Sequence, residues 1–376
     1  MGYEIKKLWG NKILLLGMLV LVFVSLYYGY ENVNSNLPEY VNMVDEAYKG
    51  EYSEEKLEGI REKFANANQD DDEFFMYLSV CGEAEKCKNI LEYRDSIVKA
   101  AKRLKKSSDT YISRVNSRIE EIYEEKPNLK IVEPSKFDGM VGMVRWQFVE
   151  DIISIMLVIF AASYIFTLEH GANTYKLVFS SSAGRLKTYV SKIFCIVGVA
   201  IGISIITHIC VCAYSLVSGD GYIWKLPIQY YEEYIEAPYI ITLLEYVMVT
   251  AVLKAIGLII IGVCSAVISL WFKKSIIPTI ISAVVMVGGY LLCSYNANYS
   301  PLGESVIQSR YERYCIFKQY TWVGLINNSG YYTERYMPVN VFNYPVDMVY
   351  VNIFVNLLFV VAIVIGGYIV YRKKER

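Results

Sequence analysis

Histidine is nearly missing from this chain: His170 and His208 are the only two in 376 residues. Neither sits in an H-E-x-x-H pair, so no helix-borne zinc centre and no credible metal cluster is expected. No G-x-x-x-x-G-K-[ST] stretch occurs, and the chain by itself therefore lacks the usual phosphate cradle for ATP. No G-x-S-x-G elbow marks a serine hydrolase. The eight cysteines include no C-x-x-C pair. Charged residues make up only 20% of the chain and nearly cancel, at a formal −1; no nucleic-acid partner is expected. These gaps exclude the common catalytic classes, and the chain reads as a non-catalytic protein that binds no cofactor of its own.

What is abundant is apolar: 54% of residues are hydrophobic, and the mean hydropathy is +0.30. Soluble domains do not reach such values; integral membrane proteins do. A membrane helix needs about 20 mostly apolar residues, because every backbone polar group must bond within its own helix. Six segments meet this requirement: Ile13–Tyr30, Ile152–Leu168, Ile193–Val217, Val247–Phe272, Ile276–Tyr295 and Met348–Tyr371. Phe148 and Val149 extend the second at its outer end, with Trp146 as an interfacial anchor. Bulky Leu26, Tyr27 and Tyr28 follow Ser25, where a cleaved signal would need small residues, so the first segment is read as a retained anchor.

The basic residues set the orientation. Lys6, Lys7, Lys12, Lys176, Arg185, Lys187, Lys192, Lys273, Lys274, Arg372, Lys373, Lys374 and Arg376 fall on one side of the six spans. The positive-inside rule then places both termini in the cytoplasm of a plasma membrane, most simply a bacterial one. The expected fold is an all-α integral membrane protein, with six transmembrane helices and an extracellular helical domain between the first and second spans. Residues 1–30 form a cytoplasmic segment and the first helix, 31–146 the extracellular domain, and 147–376 a five-helix membrane region. That region has a cytoplasmic loop at 169–192 and outer loops at 218–245 and 296–347. The outer loops are rich in tyrosine, which suits the water–lipid boundary, and are expected to dip partly into the outer leaflet.

Within the extracellular domain, Pro38 stands at a helix start and Gly50 at a stop. Ser53 caps a segment running towards Asn66, and the acids of "QDDDE" (Gln69 to Glu73) load another start. Ile97, Ala101, Leu104, Tyr111, Val115, Ile119 and Ile122 keep three- and four-residue spacing, which predicts one long helix or two in line, ended by Pro127 and Pro134. Lys99, Lys102, Arg103, Lys105 and Lys106 form a basic cluster, read as a solvated helix face or, as the alternative, a contact for an anionic lipid surface or ligand. Cys81 with Cys87, or Cys293 with Cys315, are open to disulfide formation, although spacing alone establishes no framework.

Four polar residues inside spans mark cavity or interhelical positions. Lys254 would cost about 2.5–3.5 kcal/mol at a helix centre. It either snorkels to the outer boundary from a helix that begins near Ile240, or faces a cavity. His208 is read as a neutral imidazole bonded to a neighbouring helix, with a proton relay as the alternative. Asn352 and Asn356, one turn apart, share a face suited to interhelical hydrogen bonds. The runs "VGVAIGIS" (Val197 to Ser204) and "AIGLIIIGVCSA" (Ala255 to Ala266) carry small residues that permit close helix packing.

One cytoplasmic loop has an order that composition alone leaves unexplained. Between Phe166 and Phe194 come Glu169 at the membrane exit, Gly171, Thr174, the apolar Leu177-Val178-Phe179, the turn Ser180 to Ser182, Arg185, and Lys192 at re-entry. This order resembles the loop between the second and third spans of ABC-2 type transporter permeases, the six-span membrane subunits of ABC exporters. Here Ala172 and Asn173 separate Gly171 from Thr174, which stand adjacent in the family pattern. The topology, the large outer domain after the first span and the "SLWFKKS" turn (Ser269 to Ser275) extend the likeness. The resemblance implies a coupling helix seated in a cleft of a separate cytoplasmic ABC ATPase, which would carry ATP and Mg. It also implies a second permease, identical or a sister chain, and export of a peptide, lipid-like or amphipathic compound across the lipid bilayer. Leu177, Val178 and Phe179 would dock in the cleft, and Glu169 and Arg185 would pair with each other or with the partner. A reading of another class is an extracellular-ligand sensing or antimicrobial-resistance module that relays a signal without cargo flux.

Overall fold

The computed structural model describes residues 6–8, 10–34, 50–67, 72–131, 141–142, 144–145, 147–171, 182–217, 223–231, 234–297, 320–327, 333 and 336–373. Pro38, Trp146, Thr174, Leu177, Val178, Phe179 and Cys315, each given a role above, lie outside them. The structure is about 81% helical. Ten α-helices and two single-turn 3-10 helices are described, together with two short β-ribbons that the sequence reading did not foresee.

Six helices are long and apolar enough to cross a membrane: α1 (Lys12–Asn34), α5 (Phe148–Gly171), α6 (Ser182–Val217), α7 (Leu243–Ser269), α8 (Ile276–Ala297) and α10 (Met348–Lys373). The sequence placed all six, and α5 begins at Phe148, the residue to which the second span was extended at its outer end. Two of the starts have a clear local cause. Asn11 Oδ1 accepts from the N–H groups of Ile13 and Leu14 at the head of α1. Thr242 and Glu245 form a reciprocal capping box at the head of α7. Helix α5 lies at the centre, with 67% of its apolar window buried against 11% for α10.

The core runs through Ile155, Val158, Ile159, Ala162, Ile196, Ala200, Leu258 and Ile261. Close approach at its middle needs glycine. A Cβ on Gly262 would run into Ile196 and Val158, and one on Gly257 would meet Trp322 and Ile326. The small residues of the fourth span thus permit tight packing. Those of the third span behave otherwise: a Cβ on Gly198 or Gly202 would meet nothing within 4 Å.

Residues 50–131 form a polar module at one end of the bundle, hereafter the module end; the other is the stem end. Ser53 caps α2 (Glu54–Asn66), its hydroxyl accepting from Lys56 N–H at 3.2 Å. Helix α3 (Asp72–Leu104) starts within the acidic run. The expected continuation in line is overturned. The chain breaks at residues 105–109, Asp109 caps α4 (Thr110–Glu124) through the N–H groups of Tyr111 and Ile112, and α4 folds back antiparallel to α3. Lys102 reaches Glu124 at 2.8 Å and Lys105 reaches Glu120 at 2.8 Å across this hairpin. Part of the basic cluster therefore serves to close the turn. Strands β1 (Gly50–Glu51) and β2 (Lys130–Ile131) pair antiparallel and tie the module's two ends together. Cys81 and Cys87 are both buried thiols of α3; six residues on one helix separate them by about 9 Å of rise, too far for a disulfide.

The loop before α10 returns into the bundle. A short helix, α9 (Trp322–Ile326), packs against α7 and near Gly289 of α8. It is followed by the hairpin β3 (Pro338–Val341) and β4 (Tyr344–Asp347), which leads directly into α10.

Candidate functional site

The loop singled out by the sequence leaves α5 and enters α6 at the stem end. Its middle, residues 172–181, is outside the described residues, but both stems are defined. Glu169, in the last turn of α5, is buried. Lys192, eleven positions into α6, is fully buried, and its Nζ lies 2.8 Å from Glu169 Oε2. Lys7 approaches the other carboxylate oxygen at 3.9 Å. The residues that end the family-like pattern on either side thus form an ion pair with each other. Sequence reasoning had given Glu169 to Arg185 or to a partner. Opposite charges at equal depth on the two arms of a hairpin were the signal available. Arg185 is half-buried at the start of α6, and Gly171 closes α5.

Around the pair stands an aromatic bracket. Lys192 Nζ lies 5.2 Å from the Phe166 ring centroid. Tyr189 meets Phe166 edge-on and Tyr368 and Tyr371 at a tilt, at centroid distances of 5.9, 5.6 and 5.4 Å, and its hydroxyl donates to the Val364 carbonyl at 2.9 Å. Gly367 leaves room for that hydroxyl, since a Cβ there would overlap it. The two stems are therefore locked to each other and to the last turns of α10. The ion pair and the aromatic bracket thus join α5, α6 and α10 at the stem end.

A second charged site lies towards the module end. Lys254 of α7 is buried, 2.7 Å from Asp151 Oδ1, and donates to Gln147 Oε1 at 2.8 Å. Tyr290 of α8 donates to Asp151 Oδ2 at 2.7 Å. Snorkelling to the boundary is thus replaced by a buried ion pair. Helix α7 begins at Leu243, close to the expected Ile240, and Leu243, Tyr246 and Val247 pack into the module-side cluster. Asp151 and Tyr290 were missed because no local spacing links either of them to Lys254, and Tyr290 reads as ordinary apolar filling.

The remaining polar positions join helices. His208 Nδ1 donates to the Ser204 carbonyl at 2.8 Å, and Nε2 faces the Thr250 hydroxyl of α7 at 3.2 Å. Asn352 and Asn356 of α10 donate to the carbonyls of Thr321 at 3.4 Å and Tyr320 at 3.2 Å. They satisfy backbone at the non-helical entrance to α9, the arrangement needed where irregular chain returns among membrane helices. Among the described residues no group of three His, Cys, Asp or Glu side chains is placed to hold a metal ion.

The module is fastened to the loops that feed α7 and α10. Arg94 is fully buried and donates to the carbonyls of Glu125, Ile122, Ala237 and Pro238 at 2.9, 2.8, 3.2 and 3.4 Å. Tyr123 donates to the Glu236 carbonyl at 2.7 Å, and Arg114 to the Asn343 carbonyl at 2.8 Å. Tyr239 donates to Asp347 at 2.8 Å, and burial raises the pKa of both above their ordinary values, favouring the neutral forms. Cys87 lies 3.5 Å from the Tyr230 hydroxyl, and burial pushes its thiol up to about 11.

Comparison with protein-family models, with curated proteins and with solved structures finds no match.

Proposed function

We propose that this chain is the membrane-embedded permease subunit of an ATP-binding-cassette exporter of the ABC-2 type. It works as a dimer of permeases, identical or sister chains, on two cytoplasmic ATPase subunits that hold ATP and Mg. Its cargo is a peptide, lipid-like or amphipathic compound carried across the plasma membrane of a bacterium. The observation that carries this reading is the Glu169–Lys192 ion pair inside its Phe166, Tyr189 and Tyr371 bracket. Stems fixed to each other and to a third helix would carry a pull on the loop into the bundle, which is what a motor-driven loop requires. Lys6, Lys7, Arg185, Lys187, Lys273, Lys274, Arg372 and Lys373 attach to helix ends on this side, which supports placing it in the cytoplasm and the module outside. The order Gly171, Thr174, Leu177-Val178-Phe179 and Arg185 between the stems supplies the apolar docking piece.

Docking would draw the stems of both permeases together when the ATPases close on ATP, and the attached helices would switch packing. Purification of the intact chain in mild detergent tests the reading. A P-loop ATPase is expected to co-purify with it, and Leu177→Asp/Phe179→Asp should remove that ATPase while the amount of membrane-inserted chain stays unchanged. Failure to capture any such ATPase, or its retention by the double variant, overturns the assignment. A sensing role without cargo flux is the second reading, favoured by one observation: Arg94 and Tyr123 fix the module to the loop that feeds α7.

A further inference from the structure

Helix α10 carries two adjacent glycines, Gly366 and Gly367, towards its stem end, and they stand in different surroundings. A Cβ on Gly367 would meet the Tyr189 hydroxyl at 2.6 Å and a Val267 methyl at 2.7 Å, so close packing accounts for that glycine. Gly366 is exposed, and a Cβ there would meet nothing within 4 Å. Packing within the chain gives no reason for its missing side chain. Alanine would favour the helix by about fourfold at this position, and glycine pairs are among the places where helices bend.

The pair divides α10 into two parts with different anchorages. On its module side, Val349, Ile353 and Val360 pack into the cluster of Leu253 and Ile260 of α7, and Asn352 and Asn356 bond the carbonyls of Thr321 and Tyr320. On its stem side, Tyr368 and Tyr371 lie against Tyr189 of α6, and Tyr371 also meets Phe166 of α5 edge-on at 6.5 Å. Tyr189 spans the pair. Its ring touches residues after the glycines, while its hydroxyl bonds the carbonyl of Val364, before them, at 2.9 Å. A bend at the glycines would move Val364 relative to Tyr368 and break this bond while the ring contacts persist.

We propose that Gly366 and Gly367 form a hinge in α10 and that the Tyr189 hydroxyl is its latch. With the bond made, α10 is one continuous helix from Met348 to Lys373. With it broken, α10 bends at the pair, and its last turns follow the stems of α5 and α6 while residues 348–360 stay docked on α7 and α9. The proposal rests on contacts within the membrane bundle and not on the ATPase reading, so either can fail without the other.

Hydrogen–deuterium exchange of the detergent-purified full chain, read residue by residue along α10, provides the test. Tyr189→Phe removes the latch and keeps the ring. It should speed exchange of the amides from Gly366 to Ile369 by about fivefold, with residues 348–360 unchanged. Gly366→Ala, whose methyl enters open space, should slow the same amides by about fourfold, and combined with Tyr189→Phe it should return them close to the wild-type rate. Unchanged exchange at these amides in Tyr189→Phe overturns the latch. Equal acceleration from Gly366 through Lys373 overturns the hinge, because the helix would then fray from its end. An alanine that fails to slow the double variant overturns it as well, since the bending point would lie elsewhere.

Discussion

At the scale of the residue, the buried charges define what this chain tolerates. Asp151 and Lys254 satisfy one another only as a pair, and Gln147 and Tyr290 complete their bonds. Removing one partner strands the other in an apolar interior, at a cost of about 3–5 kcal/mol, whereas replacing both with apolar groups of similar size is often neutral or better. Lys254→Met should therefore lower the thermal midpoint of the purified protein sharply, and Asp151→Leu/Lys254→Met should restore it. A double variant no more stable than the single one would show that the site is needed in its ionic form. Lys254 also shows where sequence reading stops. A lysine within an apolar run announces that compensation exists, but its carboxylate lies 103 positions earlier, on another helix to which no local spacing points. Ser53, by contrast, was legible as a cap because its partner, Lys56 N–H, lies three residues away.

At the scale of the element, the α3–α4 hairpin and its docking loop form a unit held by groups that are buried in neutral form. The Cys87 thiol is pushed up to about 11 and Tyr336 to about 12, each chiefly by burial; Tyr230 and Tyr239 are displaced in the same direction for the same reason. The folded module therefore holds these protons at pH values where the unfolded chain has released them. Its stability is complete below about pH 9 and should decline as pH rises from there through 11 and 12. Far-ultraviolet dichroism of the intact protein against pH should show a helical loss in this range, accompanied by alkylation of Cys87, which stays unreactive while the module is folded. A flat response with Cys87 freely alkylated at pH 8 would contradict the packing. The hairpin itself was half legible. Three- and four-residue spacing persists across residues 97–122 because both helices face the same core, so periodicity alone could not show the reversal. Ser107, Ser108 and Asp109 carried that signal.

At the scale of the whole molecule, the six membrane helices were readable because each must satisfy its backbone within one continuous apolar run. The return of α9 into the bundle was only foreshadowed by the tyrosine-rich loop, since five residues are too few to announce themselves. The proposed exporter predicts that sealed vesicles carrying the chain and its ATPase accumulate an amphipathic cargo on the module side when ATP is supplied on the stem side. A response of ATPase rate to a ligand of the module, with no accumulation, would instead favour sensing.

Helix α5 is held by charge near both tips, by Asp151 with Lys254 at one and by Glu169 with Lys192 at the other. A rod pinned in this way can tilt or pivot with its neighbours, but a piston stroke along its own axis would tear both pairs apart at once. In the proposed exporter, motion received by the loop would reach the module end as a tilt of α5 with its neighbours and not as a stroke of α5 alone.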